Sequence, residues 1–213
     1  MKHPATRTLF AYWNRLRGER TAPERSEIDP VEIRDVLADT FVCEVDAQNG
    51  HPFRLAGTRL CGLFGRELKG RSFASLWDPG RMPVGAREAA RLVDAVLAES
   101  RGVVAGLRGT TRGLKVLDLE LLILPLRHGG KTHSRLLGCL SPSQPAPWAG
   151  LDPVIQLDLA SVRVIRNLDA LAAGPDLAPE TPPPPAPPPE RRGLFTIYRG
   201  GRDGVDRVAG PSS

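Results

Sequence analysis

The sequence predicts an α+β domain: a five-stranded antiparallel sheet with short helices on one face, flanking helices before it and a proline-rich tail after it. Two observations lead there. Apolar residues alternate with polar ones over 40–46 and 53–57, the period of strands with one buried face, and three more strands read at roughly 102–109, 114–127 and 133–141, joined by short loops. Between the second and third of these, glycines 57, 62, 65 and 70 cut the chain into single turns too short to be stable helices in water. Such turns need a sheet to hold them.

Leu9, Phe10, Tyr12, Trp13 and Leu16 recur at helical spacing, so residues 6–17 are predicted as a helix ended by Gly18. A second helix is predicted over 30–38, with Asp29 as cap, Pro30 at its first position, Glu32 closing a capping box, and Ile28 and Ile33 as a hydrophobic staple. Residues 40–46 and 53–57 read as a hairpin around Asn49-Gly50, with Phe41, Val45, Phe53 and Leu55 toward the core. Thr58 then opens a turn through Leu60 to Phe64. A further turn is expected over 66–69, and Ser72 caps a third through Phe73, Leu76 and Trp77.

The run F-R-L-A-G-T-x-L-x-x-L-F-G-R-E-L-x-G-R-S-F-x-x-L, residues 53–76, resembles the core of a PAS domain. With W-x-x-L-R-G at 13–18 and D-P-x-x-I at 29–33, the chain also resembles the small single-PAS-domain proteins of alphaproteobacteria. The resemblance covers roughly residues 6–166. It implies a scaffold shared by many sensory modules, not a chemistry.

Asp78-Pro79-Gly80 reads as a loop and Pro83 as the start of a longer helix to about Glu99, with Ala86, Ala89, Ala90, Val93, Val96 and Leu97 on its inner face. Strand 114–127 carries information on both faces. Leu117, Leu119, Leu121 and Ile123 share one; Val116, Asp118, Glu120, Leu122, Leu124 and Leu126 share the other. A wet outer face would not need Leu122, Leu124 and Leu126. The Trp13 helix or a partner subunit must cover them, and the resemblance implies the same, since flanking helices and dimer partners pack on this face in PAS proteins. Residues 154–165 alternate again and read as an extended segment along the domain, a helix being the alternative.

The boundaries are therefore flanking helices at 1–38, a PAS-like core at 39–142, an extension packed on it at 143–170, a linker at 171–193 and a flexible tail at 194–213. Residues 174–190 hold nine prolines and favour polyproline II. Beyond them Leu194 to Arg199 is a short apolar island in a polar tail.

Composition excludes more than it assigns. The net charge is +5, carried mostly by arginine. Arg101, Arg108, Arg112 and Lys115 cluster near a hairpin without an aromatic stacking platform, so nucleic acid is not an expected partner. No apolar run is long enough for a membrane helix, and no apolar leader segment precedes Ala11, so the chain is expected to be cytoplasmic. Cys43, Cys61 and Cys139 lack metal or redox spacing. His3, His51, His128 and His133 fall at the terminus, in turns or at a strand start, where solvated side chains are expected, and Asp118 with Glu120 reads as an exposed pair. No catalytic motif occurs, so an enzyme is not expected, and no metal site is predicted.

Two site expectations follow. An apolar pocket would be lined by Leu55, Leu60, Phe64, Phe73, Leu76, Trp77, Val93, Leu119 and Leu121, taking a small apolar ligand unless the same side chains fill it. A protein interface, homodimeric by expectation, would use Leu9, Trp13, Leu16, Leu122, Leu124 and Leu126. By the resemblance, haem would need a histidine on the 83–99 helix, which has none. Flavin-photocycle members carry an N-C-R-F-L-type helix, whereas Cys61 sits in L-C-G-L-F. No cofactor is predicted. The function expected is a stand-alone regulatory or sensory module that signals through protein contact, the alternative being a small-molecule sensor.

Overall fold

The computed structural model describes residues 1–77, 84–144, 146, 148, 150–165, 190–192 and 195–197. The chain divides into two compact units, Met1–Gly174 and Pro175–Ser213.

In the first unit, helix α1 (Pro4–Arg17) precedes strands β1 (Thr40–Glu44) and β2 (Phe53–Ala56). The short helix α2 (Thr58–Leu63), a 3-10 turn at Phe73–Leu76 and the long helix α3 (Val84–Glu99) follow. Strands β3 (Val103–Thr111), β4 (Val116–His128), β5 (Lys131–Pro142) and β6 (Val154–Val164) complete it. The sheet has order β2-β1-β5-β4-β3-β6, and every neighbouring pair is antiparallel.

Six strands stand where five are predicted. The alternating segment at 154–165 is β6, paired along β3 from Thr111↔Val154 to Val103↔Val164. Its inner residues Val154 and Leu157 are buried in the core, so the extension is a structural edge of the sheet.

The sheet separates two cores. On the inner face, Phe41, Cys43 and Phe53 meet Leu60, Phe64, Leu68, Phe73, Leu76, Trp77, Leu92, Val93 and Val96, together with Leu119, Leu121 and Ile123. On the outer face, Leu9, Phe10, Tyr12 and Trp13 of α1 lie against Val42, Leu122, Leu124, Leu126, Leu137 and Cys139. The doubly apolar pattern of β4 is thus explained within the chain: α1 covers its second face.

The predicted helix over 30–38 is absent. Residues 30–36 form turns and Leu37–Asp39 a 3-10 turn, with Val36 N–H donating to the Ile33 carbonyl and Asp39 N–H to that of Val36, each at 3.0 Å. Asp29 does cap, accepting from Val31 N–H at 2.9 Å, but Glu32 pairs with Arg15 instead of closing the box. The capping box lies earlier, between Glu24 and Glu27. Burial of Ile28, Ile33 and Val36 beneath α1 favours the tighter turns, overriding a good local start signal.

Residues 66–69 form no helical turn either. The two residues after it bond to the sheet edge: Gly70 N–H donates to the Phe53 carbonyl at 2.7 Å, and Phe53 N–H to that of Arg71 at 2.9 Å. Gly70 has φ +80, a conformation open to glycine at little cost. Ser72 caps as predicted, accepting from Ala74 N–H at 3.1 Å.

The 78–80 loop, Pro83 and most of the 171–193 linker and 194–213 tail lie outside the described residues. In the second unit Glu190–Arg192 pairs antiparallel with Phe195–Ile197, so part of the apolar island lies in a short two-stranded ladder.

Candidate functional site

The inner pocket residues come together with one exception. Leu60, Phe64, Phe73, Leu76, Trp77, Val93, Leu119 and Leu121 are all buried in one cluster. Their space is filled by rings: Phe41–Phe73 centroids lie 5.7 Å apart, Phe53–Phe73 5.9 Å and Phe73–Trp77 5.3 Å. Gly85 of α3 lets the helix settle on Trp77, since a Cβ there would fall 2.6 Å from the Trp77 Cβ. The arrangement is close packing of the kind native interiors show.

Leu55 is the exception, 36% exposed. The register shifts between Val42 and Cys43, which face Leu55 and Phe53 in turn, so Arg54 is the extra residue of a β-bulge. The bulge reverses the alternation. Phe53 stays on the core face with Cys43, Ala56 joins Phe41 there, and Leu55 turns outward beside Pro30, Arg34 and Leu37.

The six expected interface residues do not form a surface. Leu9, Trp13, Leu122, Leu124 and Leu126 are fully buried against one another, with Leu16 packed at their margin. Trp13 Nε1–H donates to the Pro125 carbonyl at 2.8 Å, which fixes the indole on β4. A partner could reach these residues only if α1 left the sheet.

What holds the N-terminal end of α1 is polar. Glu120 sits on the outer face of β4 and accepts from Lys2 N–H at 2.8 Å, His3 N–H at 2.9 Å and the Thr6 hydroxyl. Glu120 is only 7% exposed and Thr6 fully buried, so the expected exposed pair is split: Asp118 is exposed, Glu120 is not. Burial pushes the Glu120 carboxyl up, but the Thr6 hydroxyl, the two amides and the N-terminal ammonium together hold it below the usual range. A carboxylate on the first turn of a helix also suits the helix dipole. The sequence offered one sign of this clamp, an acid directly beside the apolar run Leu122, Leu124 and Leu126 on the same strand face.

Nor are two of the histidines simply solvated. His3 is the N-cap of α1, its Nδ1 accepting from Ala5 N–H at 3.2 Å. His51 is 6% exposed with φ +59; its Nδ1 accepts from Asp46 N–H at 3.2 Å, and burial lowers its pKa against the pull of Asp94 and Asp46. His128 is exposed as expected. The side chain of His133 lies outside the described residues. Cys43 and Cys139 are buried, while Cys61 is half-exposed with its thiol 3.7 Å from the Glu67 carboxylate.

Beside the clamp a groove of about 610 Å³ opens between the start of α1, α2 and the end of β5. His3, Asp39, Arg59, Leu63, Leu140 and Ser141 are among its walls. The Asp39 side chain is 3% exposed and pairs with Nη1 of Arg59, whose side chain is 61% exposed. Burial raises the Asp39 pKa, with Arg59 and His3 working against the rise. A second groove of about 670 Å³ lies where α1 leaves the outer face open over β3 and β6, around Gly106, Ser161 and Arg163. Among the described residues no cluster of three or more His, Cys, Asp or Glu could hold a metal, and no helix is long and apolar enough to cross a membrane.

This is the PAS arrangement, a sheet with short helices and one long helix on its inner face. A family profile described as PAS domain matches residues 1–141, and the chain belongs to that family. A search of curated proteins finds no match. A light-oxygen-voltage (LOV) domain from a study of a flavin analogue is 18% identical over 56% of this chain and 86% of that one, with a TM-score of 0.40. The LOV protein of Rhodobacter sphaeroides is 16% identical, covers 57% of this chain and 73% of its own, and gives 0.38. The PAS domain of an HTR-like protein from Haloarcula marismortui is 15% identical over 51% and 88%, at 0.34. Likeness at this level carries no inference about ligand or activity.

Proposed function

We propose that this PAS protein is a sensory and regulatory module of signalling, without catalytic activity, whose output is the docking of α1 on the outer sheet face and whose signal leaves by protein contact. One observation supports this most. The helix is fixed by an apolar seam at Trp13 and a separate polar clamp at Glu120, so a change at the clamp can loosen the helix without disturbing the inner core. The partner is a protein, and a second copy of the chain is the first candidate. It would meet the outer face over β3 and β6, which α1 leaves open.

Flavin, named for one of the similar LOV domains, fits these residues poorly. The rings of Phe41, Phe53, Phe73 and Trp77 touch one another across the inner cluster, and the Cys61 thiol is directed to Glu67. Native mass spectrometry of the purified chain, with an absorbance spectrum of the same sample, tests the reading. A dimer without a retained chromophore is expected. A chain that retains flavin would overturn it and place sensing inside the core.

A further inference from the structure

We infer that the groove at the start of α1 is a binding site for a small organic acid with an apolar body, an alkyl or aryl monocarboxylate. The inference deepens the sensory reading and rests on it only for what the binding would control.

The groove has the size of a small-molecule site and a mixed lining. Leu63 and Leu140 give one apolar wall, and Pro4, Pro142 and Ala146 continue it. Its polar lining includes His3, Asp39, Arg59 and Ser141. Asp39, buried at the end of its 3-10 turn, binds Nη1 of Arg59 and so orients the guanidinium. The opposite edge of that guanidinium, Nε and Nη2, has no hydrogen-bond partner among the described residues. Those two parallel N–H groups are the edge that grips a carboxylate with two bonds. Ser141, 1% exposed, lines the same groove, and its hydroxyl has Cys139 Sγ at 3.4 Å as a weak hydrogen-bond partner. An acid seated there would place its carboxylate on Arg59 and its chain along Leu63 and Leu140.

The site also touches the proposed output. His3 lines the groove and caps α1, and its backbone N–H is held by Glu120. Occupancy would therefore be felt at the clamp that fixes the helix.

Octanoate titrated into the full chain, followed by calorimetry and by amide chemical shifts, tests the site, with octanol as the neutral probe of the same body. Saturable one-to-one binding is expected, with shifts centred on α2, the end of β5 and the start of α1, and octanol weaker. Arg59→Gln should weaken octanoate about tenfold or more and leave octanol unchanged. Because Asp39 then loses its partner, a second variant guards against misfolding. Gly62 lines the groove, and a Cβ there meets nothing within 4 Å, so Gly62→Leu should fill the groove in a folded chain and abolish binding. No saturable binding to the wild type, or binding unchanged in folded Gly62→Leu, overturns the inference. Either result leaves the docking of α1 to be judged by its own amide exchange.

Discussion

Replacing Trp13 by Ala removes a fully buried indole from the seam between α1 and the sheet. Large aromatic-to-alanine changes in cores cost about 3–5 kcal/mol. The Pro125 carbonyl also loses its 2.8 Å donor in a buried place, adding about 1 kcal/mol. The stacking on Phe10, at 6.2 Å between centroids, is already contained in the cost of deleting the ring, so the total is about 4–6 kcal/mol. With a urea slope of about 2 kcal/mol/M, the midpoint should fall by roughly 2–3 M at unchanged slope. Equilibrium urea unfolding followed by circular dichroism reads this directly. A loss below about 2 kcal/mol, with the helical signal unchanged, would refute the placement of Trp13 on β4.

Gly138→Ala should destabilise the domain by more than about 1–3 kcal/mol, because its Cβ would fall on the Phe41 ring; a thermal melt indistinguishable from wild type would show that ring to be elsewhere. His51 gives a pH prediction. Its folded pKa is lowered, so the unfolded chain binds the proton more readily. The stabilising contribution is complete above the ordinary histidine value of about 6.5 and is lost as pH falls below it. His51→Asn, which tolerates the positive φ, should therefore flatten the drop in stability between pH 7.5 and 5.5; an unchanged drop would assign it to other groups.

Much of the fold was legible because periodicity survives tertiary context. Both faces of β4 and the stripe of α1 could be read from spacing alone, and each meets the partner it implied. What failed did so where long-range contacts outweighed local signals. The Asp29-Pro30 start promised a helix, yet burying Ile28, Ile33 and Val36 under α1 gave tighter turns. One extra residue at Arg54 sent Leu55 out of the core, and no spacing rule announces a bulge. Glu120 and His3 looked solvated because nothing local says that a strand carboxylate and a chain terminus 117 residues apart will meet. The Asp39–Arg59 pair was invisible for the same reason.

Hydrogen–deuterium exchange on the full chain, wild type against Glu120→Gln, tests the central claim most directly. Gln keeps the shape of the side chain but removes the negative charge that holds Lys2, His3 and Thr6. The account predicts faster exchange in α1, strongest in its first turns, with β4, β5 and α3 protected as in the wild type. If α1 exchanged only together with the inner core in both proteins, it would be an inseparable part of the domain and could not serve as its output.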